Sequence, residues 1–242
     1  MTKPSPTRPF AVFDIDGTIT RWQFLHAIND QLAKDGYIDQ KTYQAVLDAR
    51  MTWKKRSHSS SYSDYEKTLV EIWEKTLPHL TTAEFDIVVN QIFELYKDQV
   101  YTYTRDLVRE LKAQDYILLI ISGSPVEVVA KFAEYYGFDD YIGTEHPHEQ
   151  GKYTGEIKLR TYDKHKAVEE LIAKHGLATK GSIGVGDSKG DIGMLEMIEQ
   201  PIAFNPDKAL YDHARKHGWK IVVERKSIVY ELSNDGRRFI LA

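Results

Sequence analysis

Two aspartates, Asp14 and Asp16, follow a short apolar run in the sequence DIDGT at positions 14–18. On an extended chain, side chains two residues apart point to the same face, which places both carboxylates at one spot. Gly17 lets the backbone turn sharply directly after them. Paired carboxylates repel each other and favour a cation, and magnesium suits them because it is a hard ion that prefers oxygen ligands. Taken alone, the pair is better explained by a helix cap or an Asx turn after a strand.

A second polar motif, SGSP at positions 122–125, follows another apolar run. A Ser122 hydroxyl and a Gly123 backbone N–H at the start of a helix can bind an anion. An N-cap serine followed by proline at the first helical position explains the same residues. Lys166 lies on the first turn of a helix that begins near Asp163, where it can neutralise an anion as a point charge. Lys164 is a close competitor for that role.

A third motif, GVGDSKGD at positions 184–191, ends a short apolar run in Gly186 and Asp187. Asp191 follows four residues later, at the start of a helix. Glycines before Asp187 allow other backbone to approach closely. If this strand ends at the same sheet edge as the first, the added carboxylates would complete a cation site, although by itself the motif also fits a turn.

The elements that must position these motifs alternate between buried strands and helices. Short apolar runs without alternation predict strands buried on both faces at 10–13, 116–121, 182–185, 202–204 and 219–223. Helical spacing of apolar residues predicts helices at 125–136, 166–175 and 209–217. This order predicts an α/β fold with a doubly wound parallel, Rossmann-like sheet, on which ligands bind beyond the carboxyl ends of the strands.

One long stretch breaks the alternation and contains only helical patterns, at 24–34, 41–51, 62–75 and 83–97, with a loop at 50–63. We therefore predict a catalytic core formed by residues 1–21 and 106–242. An inserted helical cap domain is predicted at 22–105.

Composition narrows the choice of partners and compartment. The 32 basic residues against 36 acidic residues give a net charge of −4, which disfavours nucleic acid as the main partner. The chain has no cysteine, which excludes disulfides and thiol catalysis and fits a reducing compartment. No signal peptide or membrane span is recognisable. We expect a cytoplasmic protein with no obligate protein partner.

Four signals follow one another along the chain: DIDGT, SGSP, a lysine that opens a helix, and GVGDSKGD. In this order they resemble the haloacid dehalogenase (HAD) superfamily of phosphoryl-transfer enzymes. The resemblance covers residues 10–20 and 111–223. A helical insert directly after the first motif resembles the C1 cap of that superfamily. KYTGEI at 152–157, SGSP and GDSKGDIGML are similar to subfamily IB, the subgroup that contains phosphoserine phosphatase.

The resemblance implies a catalytic role for each matching residue. Asp14 would be the nucleophile that forms an aspartyl-phosphate, and Asp16 would protonate the leaving alcohol and then activate water. Ser122, the Gly123 N–H and Lys166 would hold the phosphoryl oxygens.

The same resemblance implies a Mg2+ cofactor. The Asp14 side chain, the Asp16 carbonyl and Asp187 would bind it, and Asp191 would support its water ligands. The implied activity is a phosphomonoesterase acting on a small phosphorylated metabolite. Phosphoryl transfer to an acceptor other than water, or a non-catalytic phosphate-binding role, are the alternatives.

Substrate choice should depend on the cap, where the chain departs from phosphoserine phosphatases. Gln23 stands where they have a glutamate that holds the substrate amine, and the helix expected at 65–75 contains no arginine to hold a carboxylate. We therefore expect a substrate other than phosphoserine. Trp22 and Gln23 are candidate substrate contacts, although core packing explains Trp22 better. The basic cluster at 53–56 is interpreted as a solvated loop, and the histidines of HPHE at 146–149 are not interpreted as a metal pair.

Overall fold

The computed structural model describes residues 8–158, 163–234 and 239–241. The chain divides into two units. The first comprises Met1–Trp22, Tyr96–Thr144 and Leu159–Ala242. The second comprises Gln23–Leu95 and Glu145–Lys158.

A mostly parallel sheet forms the centre of the first unit. Its strands are β1 (Phe10–Phe13), β2 (Ile117–Pro125), β3 (Asp140–Thr144), β6 (Ile183–Gly186), β7 (Gln200–Phe204), β8 (Lys220–Arg225), β9 (Ile228–Asn234) and β10 (Phe239–Leu241). Among the described residues their order is β10-β9-β8-β7-β6-β1-β2-β3. Six neighbouring strands of this sheet are parallel: β3, β2, β1, β6, β7 and β8. Strands β9 and β10 extend the sheet in the antiparallel sense. The predicted fold class is confirmed.

Helices α5 (Thr102–Ala113), α6 (Val126–Tyr136), α7 (Lys164–His175), α8 (Ile192–Leu195) and α9 (Lys208–His217) belong to the same unit. All four residues of β1 are buried, as expected for a central strand with both faces covered. One cluster of the core joins Phe10 and Val12 of β1 to Val168 and Leu171 of α7. The predicted strands and helices of this unit are all found, with shifts of at most four residues at their ends.

Strands β3, β9 and β10 have no counterpart in the sequence prediction. β3 begins with an aspartate and carries an exposed tyrosine, Tyr141, so its sequence lacks the continuous apolar run used to find the other strands. It pairs with β2 through a register shift between Ile121 and Pro125. This irregularity lies in the SGSP motif, and bulges of this kind redirect side chains at the rim of a sheet.

The second unit is helical. It contains α1 (Phe24–Lys34), α2 (Gln40–Lys54), α3 (Ser61–Thr76) and α4 (Thr82–Tyr96), whose last residue falls in the first unit, together with the short hairpin β4 (His148–Glu149) and β5 (Lys152–Tyr153). Its bounds differ from the predicted cap. Residues 145–158, expected in the core, belong to it, and residues 96–105, expected in the cap, belong to the first unit.

Aromatic packing explains why 145–158 joins the helical unit. Tyr153 is buried with its ring edge against Phe85, and His146 packs edge-on against Trp73. Trp73 Nε1 donates a hydrogen bond of 3.2 Å to His146 Nε2. Within the described ranges, no helix is both long enough and apolar enough to cross a membrane.

Candidate active site

The strands β1, β2 and β6 are adjacent and parallel, so their carboxyl ends meet at one edge of the sheet. Asp14 follows β1 directly and Asp187 follows β6, while Ser122 lies within β2. The Asp14 N–H donates to the Val185 carbonyl at 3.0 Å, which continues the pairing of the two strands up to the site. This edge is the expected position of a ligand site on such a sheet.

A buried ammonium group joins two of the aspartates. Lys164 Nζ lies 2.7 Å from Asp14 Oδ1 and 2.5 Å from Asp191 Oδ1. The Lys164 side chain is only 9% exposed and that of Asp191 is fully buried. Both buried carboxylates therefore share one buried cationic partner.

Burial and charge shift the pKa values of these groups. Burial raises the pKa of Asp14 to about 7, with further increases from the Asp191 and Asp16 charges, while Lys164 opposes the shift. Burial, with the Asp14 and Asp191 charges, also raises the pKa of Asp187 well above its usual range. Burial alone would lower the pKa of Lys164, but the two carboxylates that it contacts raise it above its usual value.

Three aspartates lie close enough together to share a metal ion. One carboxylate oxygen from each of them lies within 4.8 Å of those of the other two; the residues are Asp14, Asp187 and Asp191. This donor set contains only oxygen, which is what a hard divalent cation such as magnesium prefers. Burial is the largest cause of the raised pKa values of Asp14 and Asp187, and the charges of the neighbouring aspartates raise them further although Lys164 opposes the shift. The residues therefore fit a divalent cation.

Asp191 also organises the loop that carries Asp187. Its Oδ2 accepts hydrogen bonds from the backbone N–H groups of Asp187, at 3.1 Å, and Ser188, at 2.9 Å, and from the Ser188 hydroxyl. A Cβ on Gly186 would lie 2.5 Å from the Asp191 Cβ, so this position must be glycine for Asp191 to fold back. In the turn after β1, a Cβ on Gly17 would lie 2.3 Å from Asp187 Oδ2, and Gly17 has a φ of +86°.

The Asp16 carboxylate is held by two serine hydroxyls. Ser122 Oγ donates to Asp16 Oδ2 at 2.9 Å, and Ser124 Oγ donates to the same oxygen at 2.7 Å. The structure thus brings Asp16 and Ser122 together, as expected for neighbouring site residues. Ser124 was not predicted as a site residue, although it is the second serine of the SGSP motif.

Gly123 is exposed at the same strand end, and its carbonyl accepts a hydrogen bond from Thr144 Oγ1 at 2.7 Å. Thr18, another residue that was not predicted, donates from Oγ1 to Asp187 Oδ1 at 3.2 Å. It follows Asp16 and Gly17 in the first motif, so its proximity to the site could have been inferred from its place in DIDGT.

The prediction of Lys166 as the site lysine is wrong. Its side chain is 78% exposed and lies 3.6 Å from Asp163. Because α7 begins at Lys164, the two lysines point in different directions, separated by about 200° around the helix. Lys164 is the residue that reaches the aspartates.

The candidate substrate residues Trp22 and Gln23 belong to different units. Trp22 is partly buried, and its carbonyl accepts a 2.7 Å hydrogen bond from Thr20 Oγ1. Gln23 Nε2 lies 2.5 Å from the Tyr62 hydroxyl within the helical unit.

The predicted loop at 50–63 is shorter in the structure. α2 continues to Lys54, and Trp53 stacks on Tyr65 at 5.4 Å, so Trp53 belongs to an aromatic cluster rather than to a solvated loop. His146 is buried against Trp73 while His148 is exposed, which agrees with discounting a metal pair.

Comparison with known proteins defines the family. The family model of the haloacid dehalogenase-like hydrolases matches residues 11–196. The chain therefore belongs to the haloacid dehalogenase-like hydrolases, and the predicted family is confirmed.

Among its relatives is a probable phosphatase of Mycobacterium tuberculosis, 26% identical over 225 residues, which are 89% of this chain and 75% of that protein. Another is a protein of Streptomyces azureus named for inhibition of morphological differentiation. It is 31% identical over 140 residues, which are 57% of this chain and 50% of that protein. A solved phosphoserine phosphatase shares the fold with a TM-score of 0.63 at 18% identity, covering 91% of this chain and 95% of that structure.

Proposed function

We propose that this protein is a magnesium-dependent phosphomonoester phosphatase that acts through an aspartyl-phosphate on Asp14. The observation that carries the proposal is the Asp14 carboxylate itself, buried at the sheet edge, 2.7 Å from the Lys164 ammonium, and part of the oxygen-rich aspartate cluster. Membership of a hydrolase family with phosphatase relatives supports it.

In the first step an Asp14 carboxylate oxygen attacks the phosphorus atom and the bond from phosphorus to the alcohol oxygen breaks. Asp16 gives a proton to that oxygen, so the alcohol leaves neutral. In the second step Asp16 takes a proton from water, and the water oxygen attacks phosphorus. Inorganic phosphate leaves and the Asp14 carboxylate is restored.

The remaining residues bind and position. Lys164 offsets the repulsion between Asp14 and a phosphoryl dianion, and Ser122 with the Gly123 N–H would hold phosphoryl oxygens. Magnesium would be held by the side chains of Asp14 and Asp187 and by the Asp16 carbonyl. Asp191 would support the water ligands of the metal. When bound, magnesium supplies charge neutralisation for the transferred phosphoryl group.

We infer that the substrate is a small phosphorylated metabolite other than phosphoserine. Gln23 is neutral and its amide is engaged with the Tyr62 hydroxyl. α3 contains no arginine that could bind a carboxylate.

The test is phosphate release by the purified chain from a panel of phosphomonoesters, with magnesium or with EDTA, comparing Asp14→Asn with the wild type. We expect magnesium-dependent release that is lost in Asp14→Asn, because an amide is not a nucleophile. Asp212→Asn, at an exposed position on α9, is the matched control and should retain full activity. Turnover by pure Asp14→Asn protein, or release unaffected by EDTA, would overturn the mechanism.

A further inference from the structure

Two serine hydroxyls share a single oxygen of the Asp16 carboxylate. Ser122 Oγ donates to Asp16 Oδ2 at 2.9 Å, and Ser124 Oγ donates to the same atom at 2.7 Å. Ser122 is fully buried and Ser124 is only 3% exposed. All three residues belong to the first unit of the chain. One oxygen of Asp16 is therefore held by two buried donors.

The Ser124 hydroxyl is committed to this carboxylate. Within the described residues, its only hydrogen bond goes to Asp16. Helix α6 begins directly after the SGSP motif, with Pro125 rather than a serine as its N-cap residue. The N-cap serine that the sequence alone allowed is thus not found, and helix capping does not explain the hydroxyl of Ser124.

Close packing against β3 fixes the backbone around Ser124. Thr144 Oγ1 donates to the Gly123 carbonyl at 2.7 Å. A Cβ on Gly143 would lie 2.7 Å from Val126 Cα and 3.2 Å from the Ser124 carbonyl oxygen. Only glycine at position 143 therefore lets β3 approach the end of β2 this closely. The direction of the Ser124 side chain is set by the same packing.

The two serines differ in what substrate binding demands of them. In the proposed function Ser122 holds a phosphoryl oxygen, but a hydroxyl has one proton to donate. When Ser122 donates to the phosphoryl group, it no longer donates to Asp16, and Ser124 remains to hold Oδ2. Since Oδ2 accepts this bond, the proton that Asp16 transfers belongs on its other oxygen, Oδ1.

We propose that Ser124 is a positioning residue for the proton transfer by Asp16, because it anchors Oδ2 while Oδ1 delivers the proton. An Asp14 oxygen bonds to phosphorus and the bond from phosphorus to the alcohol oxygen breaks. The proton passes from Asp16 Oδ1 to that alcohol oxygen, and Ser124 keeps its own proton throughout. This inference rests on the proposed phosphatase function.

The experiment measures kcat/KM of the full chain for para-nitrophenyl phosphate and phenyl phosphate in magnesium. Nitrophenolate leaves readily without a proton, whereas phenol, like the tyrosine side chain, has a pKa of about 10 and needs one. We call the first kcat/KM divided by the second the ester ratio. Ser124→Ala should lower kcat/KM for phenyl phosphate by about 10-fold or more, a part of the roughly 10²–10⁴-fold that a positioned acid contributes. For para-nitrophenyl phosphate the loss should stay below about 2-fold, so the ester ratio rises.

Matched variants separate positioning from a general structural effect. Ser124→Ala keeps the backbone N–H that donates to Ser122 Oγ at 3.1 Å, so this contact is retained. Ser124→Thr keeps the hydroxyl and should keep the wild-type ester ratio. Ser182→Ala removes another buried hydroxyl, which donates to the Thr179 carbonyl at the far end of β6 from Asp187. It should also keep the wild-type ester ratio, and circular dichroism verifies that each variant is folded.

Asp16→Asn distinguishes a failure of this inference from a failure of the proposed function. It should raise the ester ratio more strongly than Ser124→Ala. Adding Ser124→Ala to Asp16→Asn should raise the ratio no further, because both substitutions act on one proton transfer. A wild-type chain that releases phosphate from neither ester would overturn both proposals. A raised ester ratio in Asp16→Asn with an unchanged ratio in Ser124→Ala, or an equal rise in Ser182→Ala, would refute only the role of Ser124.

Discussion

Lys164 shows how much of the candidate chemistry depends on one side chain. It lies between two buried carboxylates, at 2.7 Å from Asp14 and 2.5 Å from Asp191. Replacing it with methionine keeps a linear, unbranched side chain but leaves both acids without this partner. The nucleophile would then face an incoming phosphoryl dianion with less opposing charge.

We expect Lys164→Met to lower kcat/KM for para-nitrophenyl phosphate by about 10²–10³-fold, the usual effect of removing one group that stabilises charge in the transition state. Lys166→Met removes a lysine from the same helix whose side chain is 78% exposed, and it should stay within a factor of about two of the wild type. Steady-state kinetics on both variants, with circular dichroism to verify folding, checks this. A comparable loss in Lys166→Met would show that the lysine has been assigned wrongly.

The choice between these lysines shows what sequence patterns can and cannot determine. The apolar positions Val168 and Leu171 predict the buried stripe of α7, and Lys164 lies on that stripe, four and seven residues earlier. Periodicity was therefore the signal that could have selected Lys164. The contacts of Ser124 with Asp16, in contrast, depend on the irregular end of β2, which no periodic pattern predicts.

At the scale of elements, the strands in the middle of the sheet were predictable because both faces are covered and their sequences are continuously apolar. The antiparallel β9 and its neighbour β10 lie at the edge of the sheet, and Ile228 and Val229 of β9 are exposed. Because these two residues are exposed, β9 gives no comparable signal. The hairpin β4–β5 escaped prediction because it is held by Tyr153 and His146 against distant aromatic residues of the helical unit.

The start of α5 depends on a residue from a distant strand. Glu224 of β8 accepts hydrogen bonds from the Thr102 N–H at 3.1 Å and the Tyr103 N–H at 2.8 Å. It also pairs with Arg21 at 2.8 Å, and its own side chain is only 1% exposed. Negative charge at a helix N-terminus is favourable, and these N–H groups have no partner within the helix.

We expect Glu224→Gln to lower the free energy of unfolding by about 2–3 kcal/mol, because it weakens several charge-assisted hydrogen bonds at a buried position. Glu231→Gln, which removes an exposed partner of Lys220 on the neighbouring strand, should cost less than about 1 kcal/mol. Urea unfolding followed by circular dichroism measures both changes. Equal losses in the two variants would mean that Glu224 acts only as an ordinary surface ion pair.

At the scale of the whole molecule, the candidate site makes stability depend on pH. The pKa of Asp14 is raised to about 7 in the folded chain, against about 4 in an unfolded one. Between these values the folded state holds a proton that the unfolded state has released, so stability falls as pH rises through this window. The raised pKa of Asp187 acts in the same direction.

Two buried histidines of the helical unit act in the opposite direction. Burial lowers the pKa values of His26 and His146 to about 4. Their contribution to stability is complete above the unfolded value of about 6.5 and is lost as pH falls toward 4. Without metal, the two histidines therefore lower the stability of the fold in acid, and the two aspartates lower it near neutral pH.

Magnesium should offset only the loss of stability that the aspartates cause near neutral pH. It binds ionised carboxylates in the folded state and stabilises that state in proportion to its occupancy. We expect saturating magnesium to raise Tm more at about pH 8 than at about pH 5, where Asp14 and Asp187 hold protons. Taking the difference with and without magnesium at each pH cancels the histidine contribution.

Asp187→Asn should abolish most of the magnesium shift and raise the metal-free Tm at pH 8, whereas Asp212→Asn should change neither. A magnesium shift that is the same at both pH values, or that survives in Asp187→Asn, would show that the cation binds elsewhere than at this sheet edge.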